Sequence, residues 1–188
     1  MARTDSHVTD DNYVSRKFYG KLPIEKAFSF LLYQKGGISQ RILHKIKYDN
    51  MPEIAVELGK RYGLELKDII NTNEYTCLVP VPLHYSKLRQ RGYNQSAKFA
   101  EGLAEAFKLP VIHTLRRVKA SATQTKKSRL KRWQNVEDIF EDKGKLSPDA
   151  KVLLVDDVVT TGSTLEACAT TLINNGYKVG VITLAAAK

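Results

Sequence analysis

"VLLVDDVVTTGST", Val152 to Thr164, decides the reading of this chain. Its aliphatic start does not alternate with polar residues, which marks a strand covered on both faces. The run ends in two adjacent acids, Asp156 and Asp157. Thr160, Thr161, Ser163 and Thr164 then gather around Gly162. Directly afterwards Leu165, Cys168, Ala169, Leu172 and Ile173 fall at helical spacing, so the segment reads strand, loop, helix. In open α/β sheets, ligands sit beyond the carboxyl ends of the strands. A helix start offers unpaired N–H groups and the positive end of its dipole. Glycine lets the backbone curl close to a ligand. With four hydroxyls added, residues 160–164 predict a cradle for one phosphate. Aspartates pointing into that cradle would repel the anion. Placed beside it, they would accept hydrogen bonds from hydroxyls joined to the phosphate, and a ribose 5-phosphate meets both demands.

Outward from this stretch the pattern repeats. "KVGVITLAA" (178–186) is a second buried strand, and "TCLVPVPL" (76–83) a shorter one stopped by two prolines. "QSAKFAEGLAEAFK" (95–108) predicts a helix with Ala100, Leu103, Ala104 and Phe107 on one face, and "PVIHTL" (110–115) a strand. Upstream, Ile38, Ile42, Leu43 and Ile46 mark a helix with Ser39 as its N-cap. A second helix has Asp49 or Asn50 as cap, Pro52 in its first turn, an inner stripe of Ile54, Ala55, Leu58 and Tyr62, and Gly63 as its stop. Strands alternating with helices predict an α/β fold: an open, mainly parallel sheet with helices on both faces. Residues 1–37 are expected to be a lead-in, frayed over the first twenty, and residues 38–188 a single domain.

The 188 residues are 43% hydrophobic, which suits one compact domain and excludes a disordered chain. No apolar run approaches the ~20 residues of a membrane helix. The N-terminus has no apolar signal core, so a cytoplasmic protein without membrane insertion is expected. Cys77 and Cys168 lie far apart in apolar patterns and read as small buried residues in a reducing compartment. The four histidines are scattered and no C-x-x-C is present, so no metal ligand set is assigned to the protein's side chains. No G-x-G-x-x-G follows a strand, which argues against dinucleotide binding. Net charge is +10, which suits a polyanion: nucleic acid or a phosphate-rich small molecule. Part of that excess is concentrated in "RRVKASATQTKKSRLKRWQN" (116–135), with eight Lys or Arg and no acid. Such a stretch predicts an exposed basic hood between two strands.

These motifs carry a resemblance. "VLLVDDVVTTGST" resembles the phosphoribosyl-pyrophosphate motif of type I phosphoribosyltransferases. "VPVPLHYSKLRQRGYNQ" (79–95) resembles the competence protein F family, with its P-V-P-L turn and R-G-[FY]-N-Q run. "ILHKIKYDN" (42–50) is similar to that family's helical segment before the core, with Lys47 and Tyr48 at its L-K-Y-like position. The likeness covers most of residues 38 to 187 and implies the type I phosphoribosyltransferase fold. It implies ribose hydroxyls on Asp156 and Asp157, and the 5-phosphate on Thr160, Thr161, Gly162, Ser163 and Thr164. It also places Lys87, Arg89 and Arg91 in a loop facing the pyrophosphate, although these three also read as a solvated basic turn. Arg117, Gln124, Arg132 and Asn135 best match the family's R-x-R-x-T-x-x-Q and R-x-x-N pattern, in a flexible loop that closes over the diphosphate. Lys119 stands where an Arg is usual. Trp133 either packs under this hood or stacks on a base.

The resemblance implies phosphoribosyl pyrophosphate as ligand, with Mg²⁺ held mainly by the ligand's oxygens. An enzyme of this kind transfers the phosphoribosyl group to a nitrogen base or ammonia, and no stretch names that acceptor. The other implied role is a non-catalytic module of DNA uptake that keeps the phosphoribosyl site and touches single-stranded DNA. The family alone suggests a DNA-translocating helicase as partner. Family members usually begin with a cysteine-rich zinc module. This sequence holds no such motif, so no zinc-dependent role is expected of it.

Overall fold

The computed structural model describes residues 2–118 and 139–188. Its centre is a four-stranded sheet built from β1 (Ile24–Leu32), β2 (Cys77–Pro80), β5 (Lys151–Val159) and β6 (Lys178–Ala186). The order is β1-β6-β5-β2 and every pairing is parallel. Beyond β2 the sheet gains one bridge, Val111 to Leu78, held by two backbone hydrogen bonds of 2.9 Å. The stretch expected as a strand at 110–115 therefore pairs only at its start. Its end turns away into a short antiparallel ribbon of β3 (Leu115–Arg117) and β4 (Phe140–Asp142). Residues 119–138, most of the expected hood, lie outside the described residues.

Helices cover both faces, as the non-alternating strands require. On one side α1 (Ile38–Tyr48), α2 (Pro52–Leu66) and α4 (Gln95–Phe107) bury Leu43, Ile46, Ala55, Tyr62, Phe99 and Leu103 against Leu153, Val155 and Ile182 of the sheet. On the other, α5 (Ser163–Asn174) buries Leu165, Cys168 and Leu172 against Val152, Leu154 and Val181. Both cysteines are free thiols within this second core. Among the described residues no helix is long and apolar enough to cross a membrane.

The first 37 residues correct the expected lead-in. β1 is a nine-residue strand of the sheet, and the chain before it packs as a strap along β1's outer edge. Thr4 N–H donates to Phe30 O and Leu32 N–H to Ala2 O. Val14 and Phe18 are fully buried. The segment is polar because its side chains serve backbone groups. Asn12 Nδ2 donates to the Ser6 and Ala27 carbonyls, and its Oδ1 accepts from Val14 and Ser15 N–H.

Three helix ends also differ from expectation. Gly37, not Ser39, caps α1, while Ser39 Oγ accepts from Gln34 N–H. No side chain caps α2, so neither Asp49 nor Asn50 has that role. α2 also runs through Gly63, because this residue faces α4 and a Cβ there would stand 2.6 Å from the Ala106 Cβ.

The connections divide at one place. From β2 the chain passes through α4 outward to Val111. From β5 it passes through α5 the other way to β6. The gap between the carboxyl ends of β2 and β5 is thus the switch point of the sheet, where open α/β folds form a crevice.

Candidate functional site

The crevice opens because one rung of the sheet is withheld. Val81 N–H still donates to Val155 O at 2.8 Å. The next rung would join Val81 C=O to Asp157 N–H. Instead the Val81 carbonyl accepts from Asn94 Nδ2, and Asp157 N–H donates to Asp156 Oδ1. Pro82, which has no N–H, then carries the chain away. On its other side β5 stays paired with β6 through Val159 and Ala186. The two acids therefore lie inside β5 rather than at its tip, as the sequence suggested, but on a stretch that has lost one neighbour.

Asp156 is buried. Its Oδ1 accepts from Ser96 Oγ at 2.8 Å, across from the first turn of α4, and from Asp157 N–H at 2.8 Å. Burial, reinforced by the Asp157 charge, pushes its carboxyl up to about 7. The two hydrogen bonds and Lys47 pull the other way. Asp157 points toward α1, where Lys47 Nζ stands 2.8 Å from its Oδ2.

Past the acids, residues 160–164 curl into a cup at the start of α5. Gly162 takes φ +88°, the left-handed conformation, and serves as the helix N-cap without a side-chain cap bond. The hydroxyls of Thr161 and Ser163 lie 3.2 Å apart, and Thr160, Thr161, Ser163 and Thr164 are all exposed. Together with Asp156, Val158, Val159 and Leu165 they line a small, open concavity. Uncapped N–H groups, hydroxyls and a helix start give this surface the donors that an anion would need. It is buttressed from behind by the N-terminal strap. A Cβ on Gly162 would lie 3.6 Å from Lys17 Cβ and 3.8 Å from the Phe18 ring.

The segment after β2 is not a loop but a seven-residue helix, α3 (Tyr85–Arg91), ended by Gly92. Lys87 and Arg89 are exposed on it, and neither forms an ion pair with the other described residues. Arg91 is half-buried. It donates to Gln95 Oε1 at 3.0 Å, and its guanidinium stands 5.3 Å from the centre of the Tyr48 ring. The structure thus separates the three basic residues: Arg91 is held by Gln95 and Tyr48, whereas Lys87 and Arg89 face solvent. Arg117 lies on the β3–β4 ribbon, 5.4 Å from the Phe140 ring centre. Gln124, Arg132 and Asn135 fall outside the described residues.

The motifs do not give the contacts of three contributors: Asn94, which caps α4 and diverts the Val81 carbonyl, Ser96 on Asp156, and Lys47 on Asp157. A residue set in "RGYNQS" directly before a helix was the available signal for the first.

The chain is similar to several known proteins. The phosphoribosyl transferase domain family matches residues 94–188. Competence protein F of Haemophilus influenzae is 32% identical over 131 residues, covering 66% of this chain and 57% of that protein. DNA utilization protein YhgH of Salmonella typhi is 32% identical over 142 residues, covering 72% of this chain and 61% of that protein. The chain spans about three fifths of the length of these curated relatives. A solved adenine phosphoribosyltransferase aligns over 77% of this chain and 74% of its own, with a TM-score of 0.49 and 14% identity.

Proposed function

This chain belongs to the phosphoribosyl transferase domain family, and we propose that it binds phosphoribosyl pyrophosphate at the crevice between β2 and β5. The observation that carries the reading is that buried Asp156 and the hydroxyl-lined cup share one concavity, with Asp157 next to it on the stretch of β5 that has lost its β2 neighbour. Asp156 Oδ2 accepts no hydrogen bond among the described residues, and Asp157 faces a single cation. Both carboxylates keep lone pairs for the two hydroxyls of a ribose, while its 5-phosphate takes the helix start.

Mg²⁺ fits this donor set as a companion of the ligand. Among the described residues no cluster of three or more His, Cys, Asp or Glu could hold a metal. The ion would rest chiefly on diphosphate oxygens and water, with Asp156 and Asp157 the hard-oxygen groups at hand, and would offset charge on the departing diphosphate. In turnover the bond from the anomeric carbon to the diphosphate oxygen breaks and a bond to a nitrogen nucleophile forms. The chain's part is to hold the ribose and to place Arg91 and the exposed Lys87 and Arg89 beside the leaving group.

A second reading is a DNA-uptake module that keeps the sugar-phosphate site without turnover. It is favoured by the surface of α3, where Tyr85 is 71% and Leu88 39% exposed beside Lys87 and Arg89. That mixture suits stacked bases and phosphates of a single strand.

Calorimetric titration with phosphoribosyl pyrophosphate and Mg²⁺ tests the binding reading. Saturable binding, lost in Asp156→Asn/Asp157→Asn, is expected; a flat titration of the wild type ends it. Pyrophosphate release over a panel of bases and ammonia then separates enzyme from module. Oligonucleotide capture that weakens steeply with salt supports the module.

A further inference from the structure

We infer that Lys47 is a positioning residue of the ribose subsite, acting through Asp157. The inference rests on the sugar-phosphate reading of the crevice and extends it to α1, which lies outside the residues matched by the family.

Three consecutive residues at the end of α1 are tied to the two walls of the crevice. The Ile46 carbonyl accepts a hydrogen bond from Tyr93 Oη. Lys47 Nζ sits 2.8 Å from Asp157 Oδ2. The Tyr48 ring lies beside the Arg91 guanidinium. The first and third ties fasten the helix to the end of α3 and the turn that follows it, so α1 stays docked without the second. That leaves the ion pair available for another purpose. Its side chains are only 20% and 13% exposed, so solvent and salt screen it weakly and it holds its geometry.

The purpose follows from charge. Two adjacent carboxylates oppose the approach of any ligand rich in phosphate. Lys47 cancels one of them while gripping a single oxygen, which leaves the carboxylate plane fixed and its remaining lone pairs turned to other donors. Without Lys47, Asp157 would be free to rotate and its charge would stand unopposed. A direct contact between Lys47 and the ligand's diphosphate is the competing assignment, and a mere clamp on the fold is the other.

A double-mutant cycle separates these roles. The full chain is titrated with phosphoribosyl pyrophosphate and Mg²⁺ as wild type, Lys47→Met, Lys47→Arg, Asp157→Asn and Lys47→Met/Asp157→Asn. The positioning role predicts about tenfold weaker binding for Lys47→Met, recovery to within about threefold by Lys47→Arg, and less than about twofold further loss when Lys47→Met is added to Asp157→Asn. An equal loss in both backgrounds, or none in either, overturns the inference while leaving sugar-phosphate binding intact. A wild type that does not bind overturns the binding reading first, and this inference with it. Thermal melts of each variant confirm that the fold is retained.

Discussion

Ser96 and Asp156, sixty residues apart in sequence, are joined by a 2.8 Å hydrogen bond that pins the first turn of α4 to the acid pair. The bond matters because Asp156 is the buried carboxylate and burial already favours its neutral form. A hydroxyl donating to Oδ1 offsets part of that cost. Ser96→Ala removes the donor, so the Asp156 carboxyl should rise further. The pH at which sugar-phosphate affinity reaches half its maximum should move upward with it, as read by titrations from pH 5 to 9. An unchanged midpoint would show that the carboxylate is not what the ligand meets.

The same carboxyl gives a signed dependence of stability on pH. Its folded value of about 7 lies above the ordinary carboxylate value, so the folded chain holds this proton where the unfolded chain has lost it. The contribution is complete below about pH 4 and disappears as pH rises to about 7. Denaturant melts should therefore show stability falling across that window. Asp156→Asn should flatten the slope and leave the chain more stable than the wild type at pH 8, while weakening ligand binding.

Gly162→Ala separates conformation from collision. The added Cβ meets only ordinary contacts, 3.6 Å from Lys17 Cβ and 3.8 Å from Phe18. The cost is therefore that of a left-handed alanine, about 1–2 kcal/mol. Calorimetry should show a melting point lower by a few degrees and weaker binding of inorganic phosphate.

Gly102→Ala should be far worse. There a Cβ would stand 1.9 Å from the Val56 carbonyl oxygen and 2.6 Å from Lys60 N, both backbone atoms of α2. Neither can turn aside, so the α2–α4 contact must part. A loss of about 3 kcal/mol or more is expected in a denaturant melt.

The strap is tested by Asn12→Ala. This buried side chain donates to carbonyls of Ser6 and Ala27 and accepts from two N–H groups. Leaving those groups unpaired costs about 2 kcal/mol. It should also loosen residues 2–6 from β1, and hydrogen exchange at Leu32 N–H, which donates to Ala2 O, should accelerate.

How far the sequence was legible depended on distance along the chain. The strand, acids, cup and helix of 152–174 were readable because apolar period, charge and glycine all change within one short stretch. Lys47 and Ser96 were not legible as partners of the acids, because only the crossing of α1 and α4 over the sheet brings them there. The strap was misread for a different reason. Its order comes from Asn12 and Ser15 serving backbone groups, which leaves no period in the sequence. Gly63 was read as a stop because a glycine that ends a helix and one that admits a neighbouring helix look alike until the neighbour is placed.

The diverted rung between Val81 and Asp157 carries one more consequence. Up to Val155 the ribbon is scaffolding, zipped on both sides. Beyond it, Asn94 and Asp156 hold the zipper open by occupying its teeth. On the proposed reading, shape retention and ligand capture occupy successive lengths of a single strand. A lineage could abandon the second, letting the teeth mesh, and keep a sound protein that no longer had anywhere to put a sugar.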